Sequence, residues 1–459
     1  MDSFSLSTIK PHSHIHFIGI GGVSMNGIAE MMVKRGFIVS GSDREHSPIT
    51  DHLKTLGVTI FIGQCGQNIT DDISLVVYTG AIHADNPEMS AALSKNIRCI
   101  ERPILLGAIM QEYDYDIAVS GTHGKTTVTS MISTILIHAK KDPSINVGGY
   151  LPIIDGTTKI GSSEYFIVEA CEYRRSFLNF KPTVAVINNI EEDHMDFYKD
   201  IDDIISAFSD FAKGVKEGGC IVARKDDSHV EKALHDINKP VITFSLSKDA
   251  DFYADSIVYD VNGGSQFTIM KKGEPFAHVK LSAPGSYNVL NALAAAAVCD
   301  FVKISSTQIA EGLSDFVGSA RRFEKKATYH GCDLIDDYAH HPTEIECTIK
   351  AAISLHKKHV YAMMQPHTYS RLKALFDGFS TCLAGVDEVV VCDVYAAREA
   401  FDPTASPEKL AEAMRKNGIN AVHMSDFEAI ADYYKSKVGP DDILLSIGAG
   451  DVNKILDLF

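Results

Sequence analysis

Gly121-Thr122-His123-Gly124-Lys125-Thr126-Thr127 constrains this chain most, because it sets a tight glycine turn, a lysine and several hydroxyls directly after an apolar run. Ile117-Ala118-Val119 has strand character, and Val128, Met131, Ile132 and Ile135 then recur at helical spacing. The turn is therefore predicted to join a β-strand to an amphipathic helix. Backbone N–H groups at such a helix start have no intrahelical partner and receive anionic oxygens. Lys125 adds a positive charge, and the Thr126 hydroxyl suits a hard cation such as Mg²⁺. The usual phosphate-loop pattern has its first glycine where Val119 stands, whereas here it falls at Gly121, so the loop is a shortened variant.

With 459 residues and a soft prior of roughly 150 residues per domain, about three domains are expected. Hydrophobic residues at 45% and charged residues at 22% fit a soluble globular enzyme, and no run approaches the ~18 apolar residues of a membrane helix. The N-terminal residues lack a basic segment followed by an apolar stretch, so no export signal is expected and cytoplasmic residence follows. Nine cysteines without a Cys-x-x-Cys pair argue against a disulfide framework or a thiolate zinc site. A formal charge of −17 disfavours nucleic acid as a partner, since phosphate backbones are held by clustered Lys and Arg. No membrane partner is expected either.

Three segments are read along the chain, at residues 1–114, 115–318 and 319–459. In the first, Ile15 and Phe17 lead into Gly19-Ile20-Gly21-Gly22, and Met25, Ile28, Ala29 and Met32 follow at helical spacing. Asp43, after Ser40-Gly41-Ser42, stands where a dinucleotide fold places its ribose-binding acid, although Ser24 replaces the third glycine. Nucleotide binding and a plain strand-to-helix turn both remain open there. The second segment carries the phosphate loop, strands at Tyr165–Val168 and Val184–Ile187, a hairpin meander between Asp251 and Leu281, and an Ala-rich helix from Asn288 to Val302. In the third, strands near Leu334, Val360, Val389 and Leu444 alternate with helices. The fold class is α/β throughout.

Chemistry-bearing residues gather after these strands, where parallel α/β sheets open their ligand crevice. Glu169 offers a hard oxygen ligand. His194, among acids, fits a solvated surface turn as well as a functional site, since imidazole is a poor first choice for Mg²⁺. Asn288 and Asn291 read either as the N-cap and first turn of the Ala-rich helix or as base-recognising amides. Arg322 stands at a domain joint from which an arginine can reach a phosphate. Asp336-Asp337-Tyr338-Ala339-His340-His341-Pro342 concentrates carboxylates, a phenol and imidazoles, and Arg371, after Gln365-Pro366-His367, can clamp a carboxylate. Gly448-Ala449-Gly450-Asp451 reads as a tight turn with Asp451 capping the next helix.

The order of these motifs, together with Asn189 to Asp196 and Asn288-Val289-Leu290-Asn291, resembles the Mur ligase family over essentially the whole chain. The nearest branch adds the first amino acid in peptidoglycan synthesis. The resemblance implies a Rossmann-like N-terminal domain for the UDP-sugar, a central P-loop ATPase domain, and a Rossmann-like C-terminal domain for the amino acid. It further implies ATP and Mg²⁺ as cofactors, UDP-N-acetylmuramate and L-alanine as substrates, and an acyl-phosphate route. Lys125, Glu169, His194, Arg322 and Asp337 would be catalytic, and Thr126, Glu169 and His194 would hold the metal. ATP would meet Gly121 to Thr127 (Gly121, Thr122, His123, Gly124, Lys125, Thr126, Thr127), Asn288, Asn291, Arg322 and Asp337. The UDP-sugar would lie on Gly19, Gly21, Gly22, Ser42 and Asp43, and the amino acid on Tyr338, His340 and Arg371. The chain departs from the commonest pattern at Glu169-Ala170-Cys171-Glu172-Tyr173, where many relatives carry Glu-Ala-Asp-Glu-Ser. A recycling ligase of the same family that attaches a preformed tripeptide, a nicotinamide-dependent dehydrogenase, and a nucleotide-regulated binding protein without catalysis are the rival readings.

Overall fold

Three sheets succeed one another along the chain in the computed structural model, which describes residues 4–459. The first runs β3-β2-β1-β4-β5, from β1 (His14–Ile18), β2 (Ile38–Asp43), β3 (Thr59–Ile62), β4 (Ile73–Tyr78) and β5 (Arg98–Glu101), with every neighbouring pair parallel. Because β1 is central and its chain leaves into the helix Val23–Lys34, the Gly19–Gly22 turn lies where strand order reverses. Such a switch point is the binding crevice of open α/β sheets.

The second sheet has ten strands. Its parallel part comprises β6 (Tyr115–Ser120), β7 (Ser144–Leu151), β9 (Tyr165–Glu169), β10 (Val184–Ile187), β11 (Cys220–Arg224) and β12 (Val241–Ser245). β8 (Gly156–Lys159) pairs antiparallel with β7 at one edge. At the other, β13 (Phe252–Tyr259), β14 (Ser265–Lys271) and β15 (Glu274–Leu281) form the meander read from the Gly-rich turns.

The helix after the phosphate loop, Lys125–His138, differs from its expected amphipathic character. Every residue from Thr126 to Leu136 is buried. The helix Ser286–Phe301 and the helix Ser306–Ser314 cover its outer face so closely that a Cβ on Gly312 would come within 2.6 Å of Ile135 Cα. Buried hydroxyls on that face turn back onto the helix, Ser133 donating to Thr129 O at 2.7 Å and Thr134 to Ser130 O at 2.8 Å. The Ala-rich helix is capped at Gly285, which corrects the reading of Asn288 as its N-cap.

The third sheet runs β16-β17-β21-β18-β19-β20, from β16 (Glu324–Tyr329), β17 (Cys332–Asp337), β18 (Val360–Met364), β19 (Glu388–Val391), β20 (Ala421–His423) and β21 (Ile443–Ile447). Asp451 does not cap the following turn with its side chain. Instead its carboxylate accepts from Gln365 Nε2 at 3.0 Å and its N–H donates to Gln365 Oε1 at 2.9 Å, tying the strand ends of β18 and β21 together.

The first two units share apolar packing: Phe17 and Ile109 belong to the same buried cluster as Phe177 and Phe208. At Gly107 the approach leaves no room for a side chain, since a Cβ would overlap the carbonyl of Asn179. All nine cysteines are free, and among the described residues no helix is long and apolar enough to cross a membrane.

Candidate active site

β6 ends at Ser120, and the chain turns through Gly121 (φ +134°) and Gly124 (φ +82°), conformations that L side chains rarely adopt. Space forbids a side chain as well: a Cβ on Gly121 would lie 2.9 Å from Asn188 Cβ, and one on Gly124 2.8 Å from Asn291 Oδ1. Neutral amides fix the loop. Asn189 Oδ1 accepts from His123 N at 2.7 Å, and Asn188 Nδ2 donates to His123 O at 2.9 Å. Lys125 Nζ folds over this turn, donating to Gly121 O at 2.6 Å and to the Glu172 oxygens at 3.0 and 3.1 Å. Burial opposes the charge, but Glu172, with Cys171 and Glu169 adding to it, holds the ammonium above its ordinary value. Glu172 is 3% exposed, and nothing local in the sequence marks it as the partner of Lys125.

Glu169 ends β9 and accepts from Gly148 N at 2.7 Å through Oε1. Cβ atoms on Gly148 and Gly149 would press on Glu169 Oε2 at 2.8 Å and on Thr126 Cγ2 at 3.1 Å, so Thr126 and Glu169 border one stretch of backbone. His194, at φ +56°, lies with a different pair: its Nε2 is 3.6 Å from Glu172 Oε1 and 3.6 Å from Asp193 Oδ2. Those three side chains lie within reach of one cation. Asp193 in turn accepts two bonds from Arg371, at 3.0 Å from Nε and 2.8 Å from Nη2. Although burial works against the charged form, His194 and Arg371 keep its carboxyl well below the usual range. His194 and Arg371, picked from distant motifs, thus meet through an acid to which the sequence reading gave no role.

A cleft opens between the second and third sheets, bordered by His123, Asn188, Tyr287, Asn288, Asn291 and Asp337. An amide chain lines it: Asn188 Nδ2 donates to Asn291 Oδ1 at 3.2 Å, Asn291 Nδ2 to Asn288 Oδ1 at 3.1 Å, and Asn288 Nδ2 to Pro284 O at 2.7 Å. From the third unit Arg322 reaches Thr126 Oγ1 at 3.4 Å. Asp337, at the end of β17, accepts from Phe323 N and Ala339 N at 2.8 Å each. Burial pushes its carboxyl up to about 6, against the pull of Arg322. His123 sits between two acids, its Nδ1 3.1 Å from Glu344 Oε1 and its Nε2 3.4 Å from Glu191 Oε2. Those acids outweigh burial and raise its imidazole to about 9.

Two further clefts lie on the side of Glu172 and His194. One is bordered by Gly19, Gly21, Gly22, Asp43, Cys171 and Tyr173. Ser42 is fully buried behind it, its hydroxyl on Glu88 Oε2 at 2.6 Å, and it meets the glycine turn through its carbonyl, which accepts from Gly19 N and Ile20 N. The other is bordered by His194, Asp193, His367, Arg371, Tyr173 and Arg398. Tyr173 and Arg398 border both clefts, so the two meet beside His194. His340 packs edge-on against His367 at 5.7 Å, and burial lowers its imidazole to about 4. Tyr338 lies instead under Arg321 and Arg322, whose guanidinium carbons stand 5.0 and 5.2 Å from its ring centre. Left-handed backbone collects around these clefts at Arg174, Arg175, His194, Arg321, Phe323 and Thr368, and such strain is held where surrounding structure fixes a site.

A shortened phosphate loop on the cleft between the second and third sheets, tied through Glu172 to His194 where two more clefts meet, defines a multidomain α/β nucleotide-binding protein whose chemistry is assembled between its units. The chain belongs to the Mur ligase family: residues 14–114 match the family's catalytic domain, 119–299 its middle domain and 321–450 its glutamate ligase domain. It is 45% identical to a UDP-N-acetylmuramate–L-alanine ligase of Acetivibrio thermocellus, over 100% of this chain and 98% of that one. To the same-named protein of Clostridium acetobutylicum it is 47% identical, over 97% of each chain. Among solved structures it is similar to UDP-N-acetylmuramate-alanine ligase from Thermotoga maritima, with a TM-score of 0.81 at 27% identity over 97% of both chains. It also resembles a murein peptide ligase from Psychrobacter arcticus, with a TM-score of 0.71 at 25% identity over 97% of this chain and 98% of that one.

Proposed function

We propose that this enzyme joins L-alanine to the carboxylate of UDP-N-acetylmuramate using ATP, releasing ADP and phosphate, as a cytoplasmic step of peptidoglycan precursor synthesis. The relatives bearing that activity in their names match the chain nearly end to end. One observation carries the reading: Glu172 accepts from Lys125 Nζ at 3.0 Å and stands 3.6 Å from His194 Nε2, so one carboxylate joins the phosphate loop to the place where the two clefts that share Tyr173 and Arg398 meet. A nucleotide phosphate, a sugar nucleotide and an amino acid can therefore converge on one point.

In the proposed reaction a muramate carboxylate oxygen attacks the γ-phosphorus, the bond to the β–γ bridging oxygen breaks, and ADP leaves. The alanine amine then attacks the acyl-phosphate carbon, phosphate departs, and the amine's proton is lost. A carboxylate and a triphosphate repel, so positioning and charge stabilisation dominate such a transfer. Lys125 would turn from Glu172 and its own loop toward the β/γ-phosphates, and Arg322 would hold them from the third unit. The amides of Asn288 and Asn291, with Asp337, would hold the nucleoside. Arg371 and His340 would orient the alanine carboxylate, which must share the guanidinium with Asp193.

The donor chemistry fits a hard divalent cation: the Thr126 hydroxyl and Glu169 supply oxygens, and His194 stands beside two more carboxylates. When bound there, Mg²⁺ would neutralise charge on the transferring phosphate. The test is phosphate release with alanine, glycine, serine or the tripeptide, each with and without UDP-N-acetylmuramate. Release that needs both the sugar nucleotide and L-alanine is expected. Release without an amino acid, or preference for the tripeptide, would overturn the assignment, as would tight NAD(H) binding without affinity for the UDP-sugar.

A further inference from the structure

We propose that His123, Glu191 and His341 form a second cation site, selective for a zinc-type transition ion, whose occupancy ties the phosphate loop to the third domain and arrests turnover. His123 Nε2 lies 3.4 Å from Glu191 Oε2, which lies 3.9 Å from His341 Nδ1, and the two imidazole rings stand 4.7 Å apart. Donors at about 2.0–2.1 Å from a tetrahedral ion are separated by roughly 3.3 Å, so the His123–Glu191 pair already fits and His341 must move inward. All three donors lie within mutual reach of one ion.

The remaining ring nitrogens are already fixed. His123 Nδ1 meets Glu344 Oε1 at 3.1 Å, and His341 Nε2 meets the carbonyl of Glu192 at 3.1 Å. Carboxylate and carbonyl partners of this kind orient metal-ligating histidines. An independent observation points to a ligand: His123 Nε2 is shut off from solvent and makes no hydrogen bond of good geometry, its nearest acceptor being Glu191 Oε2 at 3.4 Å. A buried nitrogen so poorly satisfied is costly unless something binds it better. The competing bonds are those of Thr343, whose hydroxyl donates to Glu191 Oε2 at 2.6 Å and whose N–H reaches His341 Nδ1 at 3.3 Å. A hydroxyl can rotate away, and the second bond is long.

Two imidazoles and one carboxylate suit Zn²⁺ or Co²⁺ better than Mg²⁺, which separates this group from the oxygen-rich surroundings of Glu169 and Glu172. His123 and Glu191 belong to the second unit, whereas His341 immediately precedes the third unit's helix Pro342–Ser354. An ion here would resist any opening of the nucleotide cleft. The binding step stands apart from the proposed reaction, and the arrest rests on it.

The experiment titrates the full-length enzyme with Co²⁺ under excess Mg²⁺, reading visible absorption, and then follows phosphate release against added Zn²⁺. Expected are one tetrahedral Co²⁺ displaced by Zn²⁺ but not by Mg²⁺, and inhibition relieved by a chelator. His341→Gln and Glu191→Gln should each weaken Co²⁺ binding tenfold or more, with thermal melting establishing that both variants fold. Displacement by Mg²⁺, a thiolate charge-transfer band, equal binding in wild type and variants, or an ion-pair network that takes up no metal would each overturn the site. Co²⁺ binding as described without inhibition would overturn the arrest alone.

Discussion

Two glycine turns follow central strands in this molecule, and they differ in what holds them. Gly19 (φ +81°) and Gly124 (φ +82°) adopt the same left-handed conformation before helices that begin in parallel sheets. In the first turn a carboxylate takes a backbone N–H: Gly21 N donates to Asp43 Oδ2 at 2.8 Å. In the second the corresponding clamp is neutral, Asn189 Oδ1 on His123 N, and a lysine lies over the loop. The same strand–turn–helix geometry thus gives two electrostatic results. An acid at a helix start offsets its positive end, whereas an amide leaves that end available to a phosphate.

Lys125→Ala should break this contrast most severely. Loss of about 10³-fold in ligation is expected, since removing a charge-stabilising group from a transfer site costs at least that of an oxyanion donor. Calorimetry should find UDP-N-acetylmuramate binding largely unchanged, because the sugar nucleotide is assigned to the first turn. Loss of both would show that the two turns do not divide the substrates.

The pH dependence of stability tests the buried acid of the third sheet, the counterpart of Asp43 in position. Asp337, like Asp43, ends a strand and receives backbone N–H groups, yet burial raises it to about 6. A carboxyl that binds its proton more tightly folded than unfolded loses stability as pH rises through that interval. Relative to Asp337→Asn, wild type should therefore lose about 2 kcal/mol between pH 4 and 6 in denaturant titrations. A parallel pH profile for both proteins would remove the burial argument.

Sequence pattern exposes the phosphate loop, the strands that end at Glu169 and Asp337, and the strand that precedes the helix of Arg371, because each motif is local and the strands are apolar runs. The partners of those residues are not local. Glu172 meets Lys125 across 47 residues and Asp193 meets Arg371 across 178, so no spacing rule joins them. The all-round burial of Thr126–Leu136 is illegible in the sequence for the same reason, since its outer cover comes from the distant helix Ser286–Phe301. β16 reads as charged, Glu-Lys-Lys-Ala-Thr-Tyr, because it is an exposed edge strand whose order comes from pairing with β17.

Glu172→Gln sharpens the comparison inside the second turn. The substitution keeps the size and one acceptor but removes the charge that holds Lys125 protonated and aimed. A charge-assisted bond of about 2 kcal/mol corresponds to roughly a 30-fold fall in kcat. The fall should come with little change in KM for alanine, whose proposed contacts are His340 and Arg371. A rise in that KM alone would instead move Glu172 to the amino-acid cleft.

Asp43→Ala carries the smallest expected effect and bears most directly on the first turn. It leaves Gly21 N and Arg44 N without the acceptors at 2.8 and 2.7 Å that close the turn. Water can reach this half-exposed position, so the expected loss is about 1.4 kcal/mol, near the low end for an unmade charged bond. In steady-state kinetics that is about a tenfold rise in KM for the UDP-sugar at unchanged kcat, the pattern of lost uniform binding. The KM for ATP should not move, because the nucleotide loop is closed by Asn189 rather than by an acid. A matching rise in the ATP KM would mean that the two turns are coupled through the packing between the first and second units, and that their different clamps do not act independently.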